Sequence, residues 1–218
     1  MANGKFHLPT GRLIALAIVA GMAAGAFGVY VMGTPSGNNA PEVAEASCAE
    51  SEARIAAVDE AARGEVAAML ASRPPRPMGD LKFNAPDGQP MTLADFSGRT
   101  VLMNLWATWC APCRHEMPAL NQLQKDLGGE GFEVVAVNVD TGSDEKPLAF
   151  LKETGVDALA FYRDNTLGLF NELKRRGLAL GLPVTLLIDG DGCMLAHMNG
   201  PAEWASEDAK RLIAAARE

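Results

Sequence analysis

At 218 residues the chain has room for one domain of ordinary size plus appendages. A formal net charge of −8 and a pI near 5.0 argue against nucleic acid or an anionic lipid surface as its main partner. Its four cysteines and three histidines lack the second CxxC or histidine pair that a four-ligand zinc site needs, so no metal is expected.

The chain opens with Lys5, His7 and Arg12, then runs apolar and uncharged from Leu13 to Met32. Twenty helical residues at about 1.5 Å each reach about 30 Å, enough for the hydrocarbon core of a bilayer. A cleavable signal peptide has a shorter apolar region of about 7–15 residues, and the weak cleavage candidate Ala44-Glu45-Ala46 lies well past this run. The expectation is an uncleaved signal anchor, with residues 1–12 a cytoplasmic tail and 13–32 a single transmembrane helix. Lys5 and Arg12 precede the run, whereas Glu42, Glu45, Glu50 and Glu52 come before the next basic residue, Arg54. The positive-inside rule then sends the rest of the chain across the membrane. Gly33 to Pro41 has linker composition, and from Ser47, with Glu50 as a capping box, an Ala-rich helix is expected to about Leu70. The prolines of Arg73–Pro77 stop it, so 33–79 reads as a linker and stalk helix ahead of a domain at 80–218.

From Leu81 strands and helices alternate. Asp87-Gly88 marks a hairpin turn, and Val101–Ala107 and Phe132–Asp140 are apolar runs of the kind that form doubly covered strands. Helices are expected from Pro112 to Leu127, kinked at Pro118, and then over 144–154 and 167–176 and from Ser206. A short strand is expected over 158–162, and a hairpin around Gly190 and Gly192 joins Val184–Asp189 to Cys193–Met198.

The chemistry concentrates in WATWCAPCRHEMP, Trp106 to Pro118. Pro112 suits the first turn of a helix, so Cys110 caps that helix and its sulfur faces free N–H groups and the positive end of the helix dipole. A cysteine with the ordinary pKa of about 8.5 is only a few per cent thiolate at neutral pH, and one shifted to about 7 is about half ionised. Cys113 lies one turn further in. The asymmetry makes Cys110 the attacking nucleophile and Cys113 the resolving thiol. Trp109 is the better placed of the two tryptophans for partner contact, with Trp106 in the apolar floor. Read by itself, a CxxC also fits a copper-binding assembly factor, although such a site wants a further soft ligand or histidine within reach.

WATWCAPCRHEMPAL resembles the active-site segment of membrane-anchored thioredoxin-like proteins of the TlpA type, related to the ResA and cytochrome c maturation thioredoxins. The resemblance covers about Leu81 to Glu218, with DGQPMTLADFSG from Asp87 and GLPVTLLID from Gly181 in the family's order. It implies an α/β thioredoxin-like fold, a central mixed sheet with flanking helices and an insertion at 143–165, preceded here by one transmembrane helix. It also implies a thiol:disulfide oxidoreductase in the bacterial inner membrane with its catalytic domain in the periplasm. Such a protein reduces cysteine pairs in cytochrome c or copper-oxidase assembly proteins. Its redox-active disulfide, Cys110–Cys113, is the whole of its cofactor, and a membrane electron donor re-reduces it.

Residue by residue, Pro183 matches the position at which the family holds a cis proline opposite the CxxC, and Trp109, Pro112, Leu182 and Pro183 become the substrate-binding set. Glu116 stands where ResA-type proteins carry an acid implicated in tuning the thiols and passing protons; read from its position alone, it is also an ordinary solvated glutamate. Asn104 replaces the buried aspartate that thioredoxin has six residues before its first cysteine, and asparagine cannot take up a proton. Arg114 and His115 read as surface residues, and His197 as a half-buried packing residue. If the last hairpin strand runs away from the active site as in the family, Cys193 lies about 17 Å or more from it. In an exported domain a structural Cys48–Cys193 disulfide is then expected, with two unpaired thiols as the alternative.

Overall fold

The structure is a computed structural model that describes residues 48–217. The expected cytoplasmic tail, the transmembrane helix at 13–32 and the linker up to residue 47 lie outside the described residues. Among the described residues no helix is long and apolar enough to cross a membrane.

The described chain runs α1 (Glu52–Ala61), β1 (Leu70–Pro77), β2 (Lys82–Asn84), β3 (Pro90–Thr92), β4 (Thr100–Trp106), α2 (Ala111–Leu127), β5 (Phe132–Asn138), α3 (Glu145–Glu153), β6 (Tyr162–Arg163), α4 (Gly168–Arg175), β7 (Val184–Ile188), β8 (Cys193–Asn199) and α5 (Glu207–Arg217). Its strands form one mixed sheet in the order β1-β8-β7-β4-β5-β6-β2-β3. β4 lies at the centre with all its residues buried, as its apolar run demands. It pairs parallel with β5 from Thr100↔Phe132 to Trp106↔Asn138, and antiparallel with β7 from Val101↔Ile188 to Leu105↔Val184.

Three elements differ from the sequence expectation. The first helix runs from Glu52 to Ala61 rather than from Ser47 to about Leu70: the backbone leaves the helical region at Ala62, with ψ 76°, and Gly64 beyond it takes a left-handed φ of 57°. The proline-rich Leu70–Pro77 is a strand of the sheet and not an extended spacer. It is tolerated because β1 is an edge strand with a single partner, and its pairing with β8 skips from Ala71↔Ala196 to Arg76↔Met194, past Pro74 and Pro75, which lack a ladder N–H. The expected strand over 158–162 shrinks to Tyr162–Arg163, because Asn121 of α2 takes the N–H groups of Asp157 (3.2 Å) and Ala158 (2.8 Å). Pro118 sits inside α2, where its missing N–H removes the bond to the Arg114 carbonyl.

Residues 48–79 pack with the domain. α1 buries Ile55 and Val58 against α5, β1 and β8. Cys48 is disulfide-bonded to Cys193 at the start of β8, the end of the β7–β8 ladder remote from Pro183. Beside it the buried Asp189 accepts hydrogen bonds from Ser51 Oγ (2.6 Å) and Cys193 N (2.9 Å) and pairs with Arg54 (3.0 Å). Gly190 is closely packed: a Cβ there would lie 3.1 Å from the Gly98 carbonyl carbon, so the Gly98–Arg99 backbone would have to give by a few tenths of an ångström.

Both sulfurs of Cys48–Cys193 belong to residues with no exposed surface, whereas Cys110 retains 5%. Mild reduction of the native protein followed by alkylation is expected to label Cys110 ahead of the other three, with Cys48 and Cys193 labelled only after unfolding, as read by peptide mass. Replacing both Cys48 and Cys193 with alanine opens a loop spanning 145 positions. It should lower the unfolding free energy by about 2–5 kcal/mol in a urea titration.

Candidate active site

β4 delivers the chain to Trp106, the turn Ala107–Trp109 reverses it, and Cys110 begins α2. Cys110 is the N-cap in extended conformation, with φ −89° and ψ 100°. Its Sγ accepts the Cys113 N–H at 3.2 Å, so the sulfur occupies the place of an N-cap oxygen. Cys110 and Cys113 are joined as a disulfide with Cα atoms 5.3 Å apart. Trp109 is 65% exposed beside the pair, and Pro112, Arg114 and His115 are exposed on the first turns of α2. The Arg114 guanidinium lies over the Phe150 ring of α3 at 5.3 Å.

The antiparallel seating of β7 on β4 pairs Val184 with Leu105, which carries Pro183 to the Trp106 end of β4, where the active-site turn starts. The Leu182–Pro183 peptide bond is cis; Pro183 is buried and Leu182 half-buried. Leu180, just upstream, is 86% exposed, with its N–H held by Asn199 Oδ1 at 2.7 Å. It adds an apolar side chain to this rim that sequence reasoning missed, since a lone leucine in a glycine-containing loop carries no periodic signal.

Glu116 is not a solvated glutamate. It is 2% exposed, and its carboxyl accepts from Asn104 Nδ2 (2.8 Å), Trp204 Nε1 (2.9 Å) and Ala202 N (3.2 Å). Burial pushes its pKa up to about 7 against the pull of those three donors toward the ionised form. Asn104 also donates to Thr185 Oγ1 (3.0 Å) on β7. The asparagine in the aspartate position thus serves a proton-binding group on the neighbouring helix. Trp204 and Thr185 were missed from sequence, because each meets Glu116 or Asn104 only through the order of the strands. His197 lies half-buried on β8 opposite Leu186, and burial holds its pKa below the ordinary value. Among the described residues no group of three or more His, Cys, Asp or Glu side chains is placed to hold a metal.

A central mixed sheet flanked by helices, with a CxxC disulfide at the strand-to-helix turn and a cis proline at the adjoining strand, defines a thioredoxin-like redox domain. The chain belongs to the Redoxin family, whose pattern matches residues 35–213. It is 31% identical over 115 residues to the thiol-disulfide oxidoreductase ResA of Bacillus thuringiensis subsp. konkukian, a match covering 52% of this chain and 62% of that protein. It is 37% identical over 116 residues to the thiol:disulfide interchange protein DsbE of Escherichia coli K12, covering 50% of this chain and 56% of the relative. The alignments therefore span less than two thirds of either relative. The crystal structure of a thioredoxin family thiol:disulfide interchange protein from Chlorobium tepidum superposes with a TM-score of 0.53 at 27% identity, over 66% of this chain and 98% of that one.

Because the Glu116 pKa rises on folding, the native state holds a proton that the unfolded chain has released between the ordinary value of 4.5 and about 7. The stability this gives is complete below 4.5 and is lost as pH rises through about 7. Across that window the parent protein should lose up to about 3 kcal/mol that Glu116→Gln does not lose, as read from urea unfolding of both proteins at pH 5 and pH 8.

Proposed function

We propose that the protein is a thiol-disulfide oxidoreductase working in the reducing direction, held in the bacterial inner membrane by residues 13–32 with its catalytic domain in the periplasm. The observation that carries the redox reading is the Cys110–Cys113 disulfide at the start of α2, both residues buried and Cys110 the slightly more accessible, at 5% against 0%. The apolar run and charge asymmetry of the N-terminus support the anchor and its orientation. The names of the relatives support disulfide exchange, and the resemblance to cytochrome c maturation thioredoxins supports clients that are cysteine pairs in cytochrome c or copper-oxidase assembly proteins.

In the reduced protein the Cys110 thiolate attacks one sulfur of the client disulfide. That bond breaks, a mixed disulfide forms, and the other client sulfur leaves and takes a proton. Cys113 loses its proton and attacks Cys110 Sγ, closing the Cys110–Cys113 bond and releasing the second client sulfur, which is protonated in turn. Two electrons and two protons have passed to the client. Glu116, one helical turn from Cys113 and with a pKa of about 7, is suited to accept the Cys113 proton. Trp109, Pro112, Leu182 and Pro183 form the client-facing surface. A membrane protein that supplies two electrons restores the dithiol.

Equilibration of the Cys110/Cys113 couple in glutathione or dithiothreitol buffers tests the direction. A potential near or below about −220 mV is expected of a reductase, and one near about −120 mV identifies an oxidant and overturns the reading. Cys113→Ser should trap a mixed disulfide with the client on Cys110, whereas Cys110→Ser should trap none, as read on nonreducing gels.

A further inference from the structure

The turn that presents Cys110 is gripped by the segment that follows β5. Thr108, half-buried between Ala107 and Trp109, donates twice to a single carboxylate: its N–H to Asp140 Oδ2 (2.9 Å) and its hydroxyl to Asp140 Oδ1 (2.8 Å). Asp140 follows β5 and is itself held, since Asn138 Nδ2 donates to its Oδ2 at 2.7 Å and its own N–H donates to Asn138 Oδ1 at 3.2 Å. Behind both stands Arg163, a residue only 5% exposed at the end of β6. Its Nη1 donates to Asn138 Oδ1 and to the Asp140 carbonyl (2.7 Å), Nη2 to the Gly142 carbonyl (2.7 Å) and Nε to Asp144 Oδ1 (2.6 Å).

A guanidinium taken out of water costs several kcal/mol unless its N–H groups are paired. Here it is paired mostly with uncharged groups that shape the 138–144 turn. Asp144 is its carboxylate partner and is more than half exposed. The arrangement therefore fixes the position of Asp140 rather than neutralising it.

We propose that Arg163, acting through Asn138 and Asp140, is a positioning residue for the nucleophile: the clamp on Thr108 sets the turn so that Cys110 Sγ stays on the Cys113 N–H. The inference rests on the redox reading of Cys110. A hydrogen bond to sulfur from a helix N-terminus stabilises the thiolate only while distance and angle hold, and both depend on the backbone two residues earlier. Of the two ends of the clamp, one is in the active-site segment and the other in the 143–165 unit, so that unit contributes directly to the reactivity of the cysteine.

The test uses the reduced full-length protein in detergent and follows the rate of iodoacetamide alkylation of Cys110 against pH, with peptide mass identifying the site. Thr108→Val keeps the shape and the Asp140 charge but loses the hydroxyl bond. Arg163→Lys keeps the positive charge but cannot reach four acceptors. Each should raise the titration midpoint of Cys110 by about half a pH unit or more, so that alkylation below the midpoint slows about threefold. Thr108→Ser, which keeps the hydroxyl, should retain the parent midpoint. An unmoved midpoint in either Thr108→Val or Arg163→Lys, or a Thr108→Ser protein shifted as far as Thr108→Val, overturns the proposal. A lowered unfolding free energy with an unmoved midpoint is the signature of a merely structural clamp and overturns it too. The redox reading fails separately, if the parent Cys110/Cys113 pair does not cycle between disulfide and dithiol.

Discussion

β4 is buried on both faces and paired along both edges, and the site depends on that confinement. A strand so enclosed cannot slip by one residue without turning its inward side chains to the other face. Its register with β5 and β7 therefore sets where the active-site turn emerges. The parallel pairing with β5 brings Asn138 level with Trp106, so that Asp140 meets Thr108. The antiparallel pairing with β7 brings Thr185 level with Asn104 and Pro183 to the mouth of the turn. Cys110 then leaves the sheet between two strands that were positioned independently of it.

The molecule holds its irregular segments with buried charges, each satisfied by donors or acceptors from more than one element. Asp189 gathers Ser51 and Arg54 from the N-terminal segment onto the β7–β8 hairpin. Arg163 gathers the carbonyls of the 138–144 turn. Glu116 gathers Asn104 from β4 and Trp204 and Ala202 from the segment before α5. Removing one member of such a group leaves a buried polar atom without a partner, which costs more than the lost bond alone is worth. Of the three, Glu116 differs in kind, because its three donors do not offset the burial and its proton is held near neutral pH. A carboxyl in that condition, one helical turn from Cys113, is the group that the proposed function uses as a proton acceptor.

What the amino-acid sequence determined was local. The CxxC spacing, Pro112 and the apolar run before them are read within one helical turn or one strand, so the placing of Cys110 and Cys113 at a strand-to-helix turn and the existence of the central strands follow without knowledge of neighbours. The resemblance marked Pro183 and Glu116 as positions of interest but left open whether Glu116 was solvated. The early helix end, where the backbone leaves helical geometry at Ala62, and the pairing of Leu70–Pro77 with β8 were not visible in an Ala-rich run followed by prolines. Only the tertiary structure decided the environment of Glu116, whose partner Trp204 is 88 positions away, and of Asn104, whose partner Thr185 is 81 away. It likewise decided that Thr108 and Asp140, 32 positions apart, share a pair of hydrogen bonds. Desolvation and hydrogen-bond satisfaction depend on everything that surrounds a group in space. Strand order assembles those surroundings from distant parts of the chain, and one-dimensional patterning carries no record of them.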